Sequence, residues 1–170
     1  MRDSGMRQVA HETEVKAPAD TVHRLLAEVD NWPRVFGSVI AVEHEEAPEG
    51  EQRLRIRYVE GDVPRSRPLR RIVEPAALRI NFQELVTEPP LAGLGGAWVV
   101  EPLGEESSRV RLLHEYRVVG DDPGALDRIG EWVDASSRRE LAALKENVEF
   151  AHAAAERTFS FEDTVRIDGA

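Results

Sequence analysis

In RVRLLHEYRVV, Val110, Leu112, His114, Tyr116 and Val118 fall on one face of an alternating strand, so His114 points with apolar neighbours. An imidazole so placed can exchange protons near neutrality, because burial lowers its pKa and an adjacent carboxylate raises it. The competing reading is a hydrogen-bonded core histidine. Seven arginines, at positions 53, 55, 57, 65, 67, 70 and 71, crowd one short region. A guanidinium stays charged and presents a fork of donors, which suits it to hold a ketone or to stabilise an enolate. In RLRIRYVE, Leu54, Ile56 and Tyr58 alternate with Arg53, Arg55 and Arg57, so those three arginines are expected in solvent or in ion pairs. Arg71 shares its parity with Arg65, Arg67 and Leu69. Glu140 lies beside Ser137 on the apolar stripe of Val133, Leu141, Leu144 and Val148, a costly place for a charge unless it is paired. If it faces inward it can pair with Arg71, or work with His114 as proton donor and acceptor. A surface position just off the stripe is the alternative.

The elements that must position these groups follow from the hydrophobic rhythm. HETEVKA (11–17) reads as a first strand. TVHRLLAEVDNW repeats Val22, Leu25, Leu26 and Val29 at helical spacing until Pro33 interrupts it. Strands follow from Val39, over 53–60, 65–73, 78–86, 97–103 and 108–119. TEPPLAGLGG, with its prolines and glycines, reads as a loop. A long helix is expected over about 131–157. Strand after strand without crossover helices means an antiparallel sheet, and the terminal helix is its only large cover. This is an α+β, helix-grip arrangement, a curved antiparallel sheet wrapped around a long C-terminal helix. The mismatch between the two surfaces leaves a concave, largely apolar space for a small ligand. NWP is expected to turn the chain at the mouth of that space, with the Trp32 ring closing it.

The 170 residues suit one domain, expected over 9–157 behind a flexible 1–8 segment. A net charge of −10 argues against nucleic-acid binding, and no apolar run reaches membrane-spanning length. Cysteine is absent, which fits a cytoplasmic location. The five histidines show no ligand spacing such as HExxH, and no cofactor fingerprint is present, so neither metal nor cofactor is expected.

The segments VKAPADTVHRLLAEVDNWPRVF, RRIVEPAA, TEPPLAGLGGAW and LLHEYRV together resemble the polyketide aromatase/cyclases, which are START-like, Bet v 1-type helix-grip proteins. The likeness covers about residues 9–155. It implies folding of a poly-β-ketone tethered to acyl carrier protein, within a polyketide synthase complex, followed by aldol cyclisation and dehydration of the first ring. Arg71 corresponds to the second arginine of the family's RR pair, held to be central to catalysis. His114 and Glu140 correspond to an inward histidine and a helix carboxylate of one branch. The expected substrate-binding wall is Trp32, Phe36, Arg67, Leu69, Phe82, Trp98, Tyr116 and Ser137. Removing the Arg71 side chain is expected to abolish ring formation while leaving the fold intact. Two departures stand out: a pocket tyrosine of some members is Val39 here, and two tryptophans before the arginine are Arg65 and Arg67.

FEDTVRIDGA (161–170) resembles HETEVKAPAD (11–20) at an offset of 150 residues. Since some members are fused pairs, residues 158–170 are expected to be a linker and the first strand of a second helix-grip domain; the other reading is a frayed polar tail. Fused members act on ketoreduced chains, which points to a C9-reduced polyketide. A noncatalytic carrier or chaperone for a hydrophobic ligand is the alternative function, and an interaction module for a synthase complex is a third.

Overall fold

Each strand alternates apolar and polar residues and is joined to the next by a short turn, so neighbours in sequence become neighbours in the sheet. The computed structural model describes residues 5–120 and 122–157 in full and the backbone of 158–168. The strands are β1 (Met6–Val15), β2 (Val39–Glu45), β3 (Gln52–Glu60), β4 (Val63–Glu74), β5 (Arg79–Glu84), β6 (Leu91–Gly104) and β7 (Ser107–Val118). All pair antiparallel in the order β1-β7-β6-β5-β4-β3-β2, so the first strand closes beside the last. Between β1 and β2 lie the helices α1 (Ala19–Ala27) and α2 (Trp32–Val35); the long α3 spans Ala125–Asp168. The core gathers Val22, Leu26 and Val29 of the first helical segment, inward strand residues such as Leu54, Ile80 and Leu112, and Leu141, Leu144 and Val148 of α3. The α+β helix-grip expectation is met.

Several boundaries differ. β1 starts at Met6 rather than His11, since Met6 to Ala10 pair with Arg117 to Leu113 of β7; three residues expected in the flexible segment therefore belong to the sheet. The glycine-rich stretch is not all loop, because β6 begins at Leu91. Its glycines answer close approach rather than a turn. A Cβ at Gly96 would come within 1.8 Å of the Leu113 carbonyl oxygen, and one at Gly95 within 2.4 Å of the Gln83 side chain. Gly96→Ala is expected to cost about 3 kcal/mol, because backbone rather than a flexible side chain must move; urea unfolding measures it. The long helix starts at Ala125 rather than about 131, and its backbone continues over 158–168, where a linker and strand were expected; the side chains of 158–168 lie outside the described residues.

Candidate active site

Between the concave face of the sheet and α3 lies a cavity of about 570 Å³, within the range that accepts a small organic ligand. Its mouth is ringed by Ser38, Gly61, Trp132 and Arg139, all exposed. Trp32, Phe36, Leu69, Phe82, Leu94, Trp98 and Leu112 wall it, and Arg67, Arg71, Glu84, His114 and Glu140 bring polar groups to it. Strand register sets several of these side by side. Gln52, Arg71, Phe82, Gly96, His114 and Val9 form one cross-sheet row, each directly opposite the next. Arg71 and His114 thus share a row but stand three strand spacings apart, roughly 14 Å along the sheet.

Arg71 is 1% exposed. Its guanidinium donates from Nη1 to Leu26 O at 2.9 Å, from Nη2 to Ala27 O at 2.7 Å, and from Nε and Nη2 to Gln52 Oε1 at 3.1 and 3.0 Å. Leu26 and Ala27 end α1, where carbonyls lack helical partners and the helix dipole is negative, so a buried cation is accommodated there. Trp32 completes the clamp: its indole N–H donates to Leu26 O at 3.1 Å, and Arg71 lies over its ring at 5.4 Å. Burial lowers the Arg71 pKa to about 10, which leaves it charged at neutrality. Four of its five N–H donors are committed, so one Nη1 hydrogen remains for a ligand. Trp32 is consequently at the closed end of the cavity and not at its mouth, packed edge-on against Phe36, which leans on Trp98.

His114 depends on a missing side chain. Gly96 stands between Phe82 and His114 in the row, and with nothing on that glycine the two rings meet edge to face at 5.6 Å. Ser137 Oγ lies 3.4 Å from His114 Nδ1, which leaves Nε2 for a cavity ligand. Burial, then His11 and Arg67, lower the His114 pKa to about 4, so the ring is neutral at neutral pH. Because the folded value lies below the ordinary 6.5, the unfolded chain binds more protons in between. Stability from this group is therefore present above pH 6.5 and lost as pH falls toward 4. Chemical unfolding at about pH 7 and about pH 4.5 should show wild type losing up to about 3 kcal/mol through this group. His114→Gln should lose correspondingly less, which separates the imidazole from the carboxyl groups common to both proteins.

Arg67 was expected in the wall, and it organises a cluster of its own. It ion-pairs with Glu84 at 3.3 Å and lies over the Tyr58 ring at 5.5 Å. Glu140 faces the cavity in the field of Arg67 and Glu84, and burial raises its pKa. The pairing of Glu140 with Arg71 is replaced by this cluster, since all but one of the Arg71 donors go to the end of α1 and to Gln52. Glu84 and Tyr58 escaped nomination although parity puts both inward; an acid on the face of Ile80 and Phe82 was the signal. Tyr116 and Ser137 do not line the cavity. Tyr116 packs with Leu94 and Val133 beneath the start of α3, and Ser137 is fully buried behind His114. Arg53, Arg55 and Arg57 pair with Glu51, Glu45 and Glu43.

Residues 6–149 match the family model described as polyketide cyclase/dehydrase and lipid transport. The chain belongs to this family. Among polyketide cyclase/dehydrase proteins it is 44% identical over 165 residues to the granaticin polyketide synthase bifunctional cyclase/dehydratase of Streptomyces virginiae, covering 96% of this chain and 54% of that one. The actinorhodin counterpart of Streptomyces coelicolor is 35% identical over 167 residues, covering 98% and 52%. The chain thus spans about half the length of these curated relatives. The crystal structure of the di-domain ARO/CYC BexL superposes with TM-score 0.79 at 49% identity, over 84% of this chain and 46% of that one. The Zhui aromatase/cyclase of a Streptomyces species gives 0.74 at 27% identity, over 85% and 94%.

Within this cyclase/dehydrase fold, Val39 takes a place on the cavity wall, and Arg67 brings a cation to it. Outside the cavity, Glu106, His152 and Glu156 offer ligand atoms within 4.8 Å of one another, but His152 already bonds both acids at 2.8 and 3.3 Å. No helix among the described residues is long and apolar enough to cross a membrane.

Proposed function

We propose that this chain is a cofactor-free aromatase/cyclase acting on a poly-β-ketone tethered to acyl carrier protein, with a C9-ketoreduced chain as its substrate. The observation that carries the reading is the placement of a buried cation and a neutral imidazole along one row of an enclosed, aromatic-walled cavity. Arg71 would hold a ketone oxygen by its one free N–H, favouring the enolate as it develops. His114 Nε2 takes the α-proton, the enolate carbon attacks a second carbonyl of the folded chain, and the resulting alkoxide is protonated. A carboxyl on the cavity wall then assists water loss. Trp32, Phe36 and Trp98 favour a flat product and keep bulk water out. Substrate delivery by a carrier protein sets the work in the cytoplasm, among polyketide synthase components. The half-length match supports a second helix-grip domain as the fused partner.

Reconstitution with a ketosynthase pair, acyl carrier protein and ketoreductase tests this. Adding the chain should convert a mixture of spontaneous products into one with an aromatic first ring. An identical mixture with and without the chain would leave the carrier function instead.

A further inference from the structure

Two carboxyl groups and one guanidinium share a stretch of cavity wall. Glu84 ends β5 on the face that carries Ile80 and Phe82, directly opposite Leu69. Two residues back along β4, Arg67 reaches it diagonally, Nε to Oε1 at 3.3 Å, and the Glu84 side chain is only 7% exposed. Glu140 enters the same space from α3. The other groups facing the cluster do not balance it. Tyr58 is uncharged, with burial raising its pKa, and His114 is neutral. Arg139 is exposed at the mouth, and Arg71 is committed to the end of α1. Among the described residues Arg67, its side chain one-third exposed, is the cation that ion-pairs within this cluster, and two acids share its field. A second carboxylate without an ion-pair partner is unfavourable in such surroundings, so retaining a proton is the cheaper state. Burial raises both carboxyl pKa values, opposed at both by Arg67 and at Glu140 also by Arg139, while Glu84 raises that of Glu140 further.

Resting on the aromatase reading above, we propose that Glu84 is a further catalytic residue: with Glu140 it retains one proton across Arg67 and delivers it to the hydroxyl that leaves during dehydration. The C–O bond breaks, the departing hydroxyl takes the carboxyl proton and leaves as water, and His114 takes the α-hydrogen as the double bond forms. Imidazolium and carboxylate return to their resting states by proton exchange with water. No oxidant or reductant is consumed.

Glu84→Gln keeps shape and hydrogen bonding but removes the acid. In the reconstituted system it should slow dehydration about 100-fold and cyclisation far less, so that a cyclised species heavier by one water accumulates. Wild-type dehydration should fall as pH rises through the carboxyl titration, and this limb should vanish in the variant. Wild-type dehydration by the variant, or an equal loss of both steps, overturns the proposal. A wild type that makes no aromatic ring overturns the aromatase reading instead. The proton count is read independently of activity and of the variant's folding, by infrared spectroscopy of the wild-type protein at about pH 7. A protonated-carboxyl stretch that disappears on alkaline titration supports the proposal, and absence of that stretch overturns it. In a folded Glu84→Gln the stretch should disappear at lower pH than in wild type, because the repulsion from Glu84 is gone while burial still raises Glu140; an unchanged titration would overturn the shared proton.

Discussion

Arg71→Ala should lower the thermal midpoint by about 10 °C as well as abolish ring formation. Truncation strips the Leu26 and Ala27 carbonyls of their donors, frees Gln52 and empties a volume beneath Trp32. Losing a buried charged donor from such a site costs about 3 kcal/mol, and each kcal/mol moves the midpoint of a domain this size by about 3 °C. This revises the expectation that the variant would leave the fold intact. Arg71→Lys keeps the charge but not the fork, so it should recover part of the stability and little activity. Circular dichroism melting decides: an unchanged midpoint for Arg71→Ala would contradict the clamp on α1.

His114→Gln should lower the rate of aromatic ring formation about 100-fold while leaving substrate binding nearly unchanged, the usual range for loss of a positioned general base. The pH profile adds a sharper expectation. With its pKa lowered to about 4, His114 is already neutral and basic throughout the range where a free histidine titrates. Wild-type ring closure should therefore show no limb at the ordinary value of 6.5 and should decline only as pH approaches 4. Rates measured across that interval test it, and a limb at 6.5 would place His114 in water.

Alternation along a strand reports which face a side chain occupies, and it placed His114 and Phe82 on the cavity side. It does not report position along the curved sheet. Tyr116 shares the face of His114, yet two residues further on that face is roofed by α3 and the ring enters a separate apolar cluster. Ser137 fails for a similar reason, since the helix stripe touches the sheet at that point rather than the open space. RSRPLRRIV carries arginines on both faces, so the inward direction of Arg71 came from family likeness and not from patterning. That two of its donors are spent on α1 was invisible, because the partners are backbone carbonyls 44 and 45 residues earlier. Glycine and proline in TEPPLAGLGG signalled a turn, whereas Gly95 and Gly96 serve close approach between strands and contact between Phe82 and His114. Glu84 was legible by parity; an acid at a strand end is ordinarily solvated, and only the cavity makes it unusual.

The central claim is that the enclosed space performs chemistry on its ligand instead of merely holding it. Counting aromatic rings formed per protein chain, with carrier-protein-bound substrate in large excess, measures this most directly. Many rings per chain are expected for wild type, and about 100-fold fewer in the same time for His114→Gln. One unaltered molecule retained per chain, with no ring formed above background, would contradict it.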